Sequence, residues 1–246
     1  MLPLIEFEAV HRLIAAGLND CEIGRRTGIP VRTICRWRGQ SVSARLRRAD
    51  PDCPRCSSTI LPGPAYAYLL GLYLGDGCLT TLPKGLYRLE ITLDARYAMV
   101  IFEAALAMSG MRPSAWRPVG QRPRPGCVVL SSVWKHWPCL FPQHGPGRKH
   151  ERKIEFATWQ QSIINRHPEY LLRGLLQSDG SRFLNRVKRQ AYARYQFTNL
   201  SDDIREIFCR ACDDFGVAWR TMNAKSISIA RRADVVRLDT VVGPKR

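Results

Sequence analysis

The chain has 246 residues and a formal net charge of +17 at pH 7, because 38 lysines and arginines outnumber 21 acidic residues. A hydrophobic content of 45% supports a real core, so the composition excludes a disordered chain and predicts one large or two or three small globular domains. The longest apolar runs, about ten residues, are too short to cross a bilayer. The positive charge is spread along the chain, so we expect double-stranded nucleic acid as partner and no membrane.

Residues 6–40 predict a compact unit of three short helices. Apolar residues recur at helical spacing in Glu6–Ala16, Asp20 is placed to cap Cys21–Thr27, and Gly28-Ile29-Pro30 forms a tight turn before Val31–Arg38. The pattern resembles the helix-turn-helix of resolvases and of many transposases and regulators. In that case the third helix enters the major groove with four polar residues facing DNA: Arg32, Thr33, Arg36 and Arg38. The alternative is a small helical hairpin with a solvated basic face.

Residues 41–63 predict a linker, and within it Cys53-Pro54-Arg55-Cys56 has the knuckle spacing of zinc sites. A zinc site needs four ligands, and no second Cys-x-x-Cys or Cys/His pair follows at short range. A turn without metal is therefore favoured over Zn²⁺ on Cys53 and Cys56.

The chain has nine cysteines with no regular framework, which predicts reduced thiols and a cytoplasmic, DNA-associated protein.

Two segments about a hundred residues apart nearly repeat each other: LLGLYLGDG at 69–77 and LRGLLQSDG at 172–180. Each is a mostly apolar helical run with small residues four apart, and each ends in aspartate followed by glycine. One such Asp-Gly is an ordinary helix stop. Two copies with matching small-residue spacing predict helices that pack closely side by side and place Asp76 and Asp179 at one edge, where a divalent cation neutralises them.

These residues resemble the two signature helices of the LAGLIDADG (DOD-type) homing endonucleases, in the single-chain form that carries both motifs. The resemblance covers roughly residues 64–246. It implies an α+β fold in which two pseudo-symmetric αββαββα halves join at paired signature helices, here preceded by a small all-α helix-turn-helix domain. The expected domains are residues 1–40, the linker 41–63, a first half at 64–153 and a second half at 154–246.

The two halves also run in parallel outside the motif. A strand region follows each Asp-Gly, at Tyr87–Leu93 and Tyr192–Asn199, and an amphipathic helix then ends at Gly110 or Gly216. A second strand follows each helix, and both halves reach a Gly-Pro with lysines close behind. The order helix, strands, helix therefore occurs twice.

The resemblance implies a chemistry for this core. Asp76 and Asp179 would hold Mg²⁺ or another divalent cation and act as the catalytic acids of phosphodiester hydrolysis. The family places a basic residue beside each metal site, and the sequence offers Lys149, Arg152 and Lys153 in the first half and Lys245 in the second; Lys153 and Lys245 are the predicted catalytic pair. Phosphate contact without catalysis is the alternative for each.

Polar strand residues complete the predicted site. Glu90 and Gln196 occupy equivalent strand positions, where they would position solvent or simply face it. The concave sheet faces would read adjacent major grooves. The predicted arginine contacts are Arg88, Arg122, Arg124, Arg182, Arg186, Arg194 and Arg220, with Arg117 as a further candidate.

The sequence favours one function and leaves two alternatives. The first is a site-specific, metal-dependent endonuclease that makes a staggered double-strand break as a monomer with internal pseudo-twofold symmetry. It would be a free-standing protein encoded by an intron, a phage or another mobile element. The alternatives are a DNA-binding transcriptional regulator that keeps the fold without cleavage, and an RNA maturase. Retention of both acids favours the endonuclease.

Overall fold

The computed structural model describes residues 4–40, 53–57, 59–112 and 119–243. The chain divides into two compact units, Met1–Thr59 and Ile60–Arg246. Among the described helices, none has the length and apolar character needed to span a membrane.

Within its described residues, the first unit contains three helices around a small core and, further along the chain, a single helical turn. Their bounds are α1 Leu4–Ala15, α2 Asp20–Thr27, α3 Val31–Arg38 and α4 Pro54–Ser57. The core of α1 to α3 consists of apolar residues that the helical spacing singled out, together with Ile29 of the turn: Phe7, Val10, Ile23, Ile29, Ile34 and Trp37. The residue that caps α2 is Asn19, whose side chain accepts a hydrogen bond from the Glu22 N–H at 2.9 Å, and not Asp20 as predicted.

The second unit repeats one arrangement of helices and strands. Its first half runs α5 Gly63–Asp76, β1 Gly77–Leu82, β2 Leu86–Asp94, α6 Ala98–Gly110, β3 Gly120–Arg124, β4 Cys127–Trp134, α7 Trp137–Leu140 and α8 Thr158–Ile164. Its second half runs α9 Pro168–Asp179, β5 Gly180–Val187, β6 Gln190–Thr198, α10 Asp202–Phe215, β7 Arg220–Asn223, β8 Ser226–Ile229 and α11 Arg232–Val242. The predicted duplicated α+β order is confirmed.

Each half contains one four-stranded antiparallel sheet, and the two sheets have the same strand order. The order is β1-β2-β4-β3 in the first half and β5-β6-β8-β7 in the second. The registers correspond as well, because Gly77 pairs with Ile91 and Gly180 pairs with Phe197. Ile91 and Phe197 are both fully buried, so one face of each sheet supports the helices and leaves the other face open.

Candidate active site and nucleic-acid interface

The two motif helices, α5 and α9, pack so closely that their small residues leave no room for side chains. A Cβ atom added to Gly71 would lie 2.5 Å from the Leu171 carbonyl oxygen, and one added to Gly174 would lie 2.3 Å from the Tyr68 carbonyl oxygen. A Cβ on Gly75 would lie 2.1 Å from the Ser178 hydroxyl oxygen. The predicted packing of the small residues against one another is confirmed, and it forms the seam between the halves.

The seam brings the ends of the two motif helices together. Asp76 is the last residue of α5 and is exposed, whereas Asp179 is the last residue of α9 and is half-buried. The Asp179 Oδ2 atom lies 3.2 Å from the position that a Cβ on Gly75 would occupy, so this carboxylate lies against the end of the opposite helix. The Asn199 side chain donates a hydrogen bond to the same oxygen at 2.6 Å. Asp179 is thus held in a fixed orientation.

Lys149 supplies positive charge beside these two acids. Its ammonium donates hydrogen bonds to the carbonyl oxygens of Tyr73, Leu74 and Gly75 at 2.6, 2.8 and 2.6 Å, which satisfies the last turn of α5. Burial lowers the pKa of Lys149 to about 8, while the carboxylates of Asp179 and Asp76 act in the opposite direction. Both acids therefore interact electrostatically with the ammonium of one half-buried lysine.

The structure places the two lysines of this segment at different sites. Lys153 donates to Asp203 at 3.0 Å and lies 3.6 Å from Glu155, so its charge is paired at the start of α10 and not at the seam. Lys149–Glu151 form one 3₁₀ turn, and the chain then becomes extended at Arg152, with φ −133° and ψ 156°, before it reaches Lys153. Lys149, by contrast, donates to the end of α5 and interacts electrostatically with Asp76 and Asp179. The second predicted lysine, Lys245, lies outside the described residues, so its role stays a prediction.

Glu90 and Gln196 have equivalent places next to the motif ends. Glu90 pairs with Cys78, the first residue after Gly77, and Gln196 pairs with Ser181, the first residue after Gly180. Their predicted equivalence is confirmed by this register. Glu90 also accepts a hydrogen bond from Arg122 at 3.2 Å. Each half thus places one polar strand residue beside its own aspartate turn.

The donors at the seam fit a hard divalent cation. Carboxylate oxygens are the ligands that Mg²⁺ and Ca²⁺ prefer in proteins. Asp76 is exposed, and a cleft of about 370 Å³ opens beside it, lined among others by Arg96, Ser178 and Ser181.

Sequence reasoning missed two residues of this region, Asn199 and Arg96, because neither belongs to the repeated motif and no periodic pattern marks them.

Three of the predicted arginines of the first half lie on the open face of its sheet. Leu89, Ile91 and Leu93 of β2 are buried, so the alternation of a strand places Arg88 on the opposite face. Arg122 and Arg124 of β3 are exposed and share that face, since Arg122 reaches Glu90. Arg117 lies outside the described residues.

The second half separates its arginines between two faces. Arg194 and Arg220 alternate with the buried residues Tyr195 and Ile229 and lie on the open face. Arg182 instead pairs with Tyr195 and donates two hydrogen bonds to Asp239 of α11, at 2.7 and 2.8 Å. This guanidinium holds a helix against the sheet, so Arg182 does not lie on the open face with the other predicted arginines. Arg186 is exposed, and strand alternation places it on the same face as Arg182.

The basic residues of α3 also differ from one another. Arg32 and Arg36 are exposed, and Thr33 is half-buried. Arg38 donates to Asp20 at 2.6 and 2.8 Å and to the Leu18 carbonyl oxygen at 3.1 Å. Its predicted place on a DNA-facing surface does not fit these contacts, because the guanidinium ties α3 to the start of α2.

The geometry of the second unit agrees with known structures. No protein-family model and no curated protein matches the sequence. A solved structure of mesophilic variants from the homing endonuclease I-DmoI aligns with a TM-score of 0.51 and 17% identity, covering 75% of this chain and 94% of that chain. This chain has the LAGLIDADG fold. The crystal structure of I-DmoI in complex with DNA and Mn aligns with a TM-score of 0.50 and 17% identity, covering 74% of this chain and 98% of that chain.

The LAGLIDADG fold explains why the seam is so close. The first helices of the two halves can approach this closely only because small residues face each other along both helices. The expectation that the chain contains both signature helices is therefore confirmed at the level of the fold. The identities show the fold and not the reaction, which depends on the side chains at the seam.

Proposed function

We propose that this protein is a metal-dependent, site-specific endonuclease that makes a staggered break in double-stranded DNA. The observation that carries the proposal is the pair of aspartates at the seam, one from each half, with the Lys149 ammonium against the end of α5. A regulator that only binds DNA has no need for two carboxylates that repel each other at the centre of its fold. The DNA and Mn of the I-DmoI complex support the proposal by analogy.

Each group at the seam has a defined task. Asp76 and Asp179 would hold a divalent cation, which would supply charge neutralisation at the scissile phosphate and at the leaving oxygen. Lys149 adds fixed positive charge for the pentacoordinate transition state. Glu90 and Gln196 accept hydrogen bonds from solvent and orient the attacking water in their own halves. Asn199 fixes the carboxylate of Asp179 by donating to its Oδ2 atom.

The open sheet faces bind the DNA on either side of the seam. Their exposed or half-buried arginines contact phosphates and guanine edges in the major groove: Arg88, Arg122, Arg124, Arg194 and Arg220. Because the two faces carry different residues, the target is long and asymmetric. The net charge of +17 supports strong, salt-dependent binding of this kind.

Removing either acid should abolish double-strand cleavage. We expect Asp76→Asn and Asp179→Asn each to reduce the rate of double-strand cleavage at least about a hundredfold, because the amide cannot neutralise a cation. The measurement is cleavage of supercoiled plasmids carrying a random target library, with Mg²⁺. Wild type should give linear product, and each variant should give nicked product or none.

The matched control is Asp214→Asn, which removes an exposed acid of α10 far along the chain from both motifs. It should cleave like wild type. Specific binding without Mg²⁺ and without any cut by wild-type protein would instead favour the regulator. Tighter binding to structured intron RNA than to duplex DNA would favour the maturase.

The three-helix unit is proposed to add DNA contacts through α3. We expect the double substitution Arg32→Ala/Arg36→Ala to weaken DNA binding and to lower the slope of log K against log salt by about 2, one for each lost phosphate contact. The control is Arg26→Ala, because Arg26 is paired with Glu22 on α2 at 2.9 Å. An unchanged affinity and slope in the double variant would show that α3 does not bind DNA.

A further inference from the structure

One buried hydroxyl in the sheet of the second half has no hydrogen-bond partner among the described residues. The Ser228 side chain is only 6% exposed, and its Oγ atom is the unpaired group. Ser228 lies on β8 between its two cross-strand neighbours, Gln196 of β6 and Arg220 of β7. Residues directly opposite each other in antiparallel strands share one face, so Ser228 belongs to the open face. Since buried hydroxyls nearly always form hydrogen bonds, this one indicates a bound molecule.

The neighbouring Gln196 amide is already oriented by two other hydroxyls. Its Nε2 atom donates to Thr198 Oγ1 at 3.2 Å and to Ser226 Oγ at 3.4 Å. These two hydroxyl oxygens lie 3.0 Å apart, on the residue pair next to the end of the motif helix. Because both donors of the amide group are directed at hydroxyls, Oε1 is the atom with which Gln196 accepts hydrogen bonds from solvent.

The first half has a serine at the equivalent place. Ser131 of β4 pairs with Glu90, just as Ser228 of β8 pairs with Gln196. The Ser131 hydroxyl lies over the edge strand, since a Cβ atom added to Gly120 would be 2.9 Å from its Oγ atom. Each half thus places one serine hydroxyl beside the polar strand residue that follows its aspartate turn.

The burial of Ser228 restricts what can bind to it. At 6% exposure the hydroxyl is too covered for a base edge or a phosphate to reach it. A single water molecule fits such places, where it typically forms two to four hydrogen bonds with buried polar groups. The Ser228 hydroxyl can donate to a water that in turn donates to the Gln196 Oε1 atom.

We propose that Ser228 is a positioning residue, which holds a water molecule against the Gln196 Oε1 atom, and that Ser131 does the same for Glu90. This inference rests on the proposed function, in which Gln196 and Glu90 orient the attacking water of their own halves. The carbonyl oxygen of Gln196 has two lone pairs, so it can accept from the held water and from the attacking water together. Ser228 therefore acts through Gln196 and does not touch the DNA.

The row of residues across the open face connects this place with the site. Ser181 is the other cross-strand neighbour of Gln196, and it lines the cleft beside Asp76. Ser181, Gln196 and Ser228 therefore form one polar row from the cleft to the buried hydroxyl. A change at Ser228 should reach the reaction along this row, and it should affect one half only.

The rates at which the two DNA strands are cut test this role. Each strand of the duplex target recovered from the library carries its own label, and cleavage is followed in single turnover with Mg²⁺. We expect Ser228→Ala to slow the cut of one strand by about tenfold, because a misplaced group costs rate and not binding. The other strand should be cut at the normal rate, so nicked product accumulates. Ser131→Ala should slow the cut of the opposite strand, and both variants should bind DNA like wild type without divalent cation.

A rescue and a control separate positioning from folding. Ser228→Thr keeps the hydroxyl, so we expect it to restore most of the rate that Ser228→Ala loses. Ser162→Ala removes an exposed hydroxyl of α8 and should cleave both strands like wild type. The Ser228 Oγ atom has no partner among the described residues, so the urea midpoint of Ser228→Ala should not fall.

A crystal structure of the free protein, at a resolution that shows water molecules, examines the same place without cleavage. We expect one ordered water within hydrogen-bond distance of Ser228 Oγ and Gln196 Oε1 in wild type and none there in Ser228→Ala. Equal strand rates in wild type and Ser228→Ala, an equal loss on both strands, or no water in wild type would overturn this role and leave the proposed cleavage standing. Wild-type protein that cuts no target would overturn the proposed function, and this role with it.

Discussion

Replacing Lys149 with methionine is expected to reduce the rate of DNA cleavage by about a hundredfold or more, the size of effect seen when one preorganised charge is removed from an active site. Methionine fills a similar space but cannot donate to the Tyr73, Leu74 and Gly75 carbonyl oxygens. The last turn of α5 then loses its hydrogen-bond donor, and Asp179 and Asp76 lose a positive charge that interacts with both. The measurement is the single-turnover rate with Mg²⁺, together with the affinity for DNA in the absence of divalent cation.

The control is Lys153→Met, four residues further along. Lys153 is paired with Asp203 on the surface, so its loss should change the cleavage rate by less than about twofold. Affinity for DNA should fall only slightly in both variants if Lys149 acts in the reaction. The reverse pattern, with Lys153 essential and Lys149 dispensable, would contradict the assignment made from the structure and restore the one made from the sequence.

Adding a single methyl group at the seam should be strongly destabilising. In Gly174→Ala the new Cβ would lie 2.3 Å from the Tyr68 carbonyl oxygen and 2.8 Å from the Leu72 nitrogen. These are backbone atoms of a buried helix, so α5 and α9 must move apart. We expect the free energy of unfolding to fall by about 1–3 kcal/mol or more, as in other overpacked cores. Urea denaturation of the purified variants measures this change.

The matched control is Gly110→Ala at the end of α6. A Cβ there meets no atom within 4 Å, so alanine should be neutral or should stabilise by up to about 1 kcal/mol through its lower backbone entropy in the unfolded chain. Cleavage by Gly174→Ala should also fall, because the seam sets the positions of both aspartates. Equal stability of the two variants would show that the helices are not in close contact.

Local sequence patterns were enough to predict the two motif helices and the main strands of the second unit. Small residues four apart and an Asp-Gly at the end of each apolar run specify helices that pack closely, because a larger side chain at those positions would hold them apart. The strands β2, β4, β6 and β8 were also predicted, since each is mostly apolar or alternating and ends near a turn. Each contributes buried residues to the core.

The sequence was less informative at the sheet edges and at the C-terminal helix. The resemblance implied the strands β1, β5, β3 and β7, but the residues themselves gave no bounds for them, because much of their surface is exposed and they show no apolar alternation. The helix α11 has Arg232, Asp234, Arg237 and Asp239 within it, and only its Val235, Leu238 and Val242 side chains are buried. A narrow apolar stripe of this kind is a weak signal.

By itself, the sequence determined that the fold is duplicated and that one aspartate ends each motif helix, because spacing within a helix is a local property. Only the tertiary structure decided which lysine lies at the ends of the motif helices. Lys149 and Lys153 lie four residues apart in a segment without periodicity, and the path of the chain takes one to the seam and the other to Asp203. The place of the Arg182 guanidinium was likewise decided by its hydrogen bond to Asp239. Asp239 lies far along the chain, and no local pattern links the two residues.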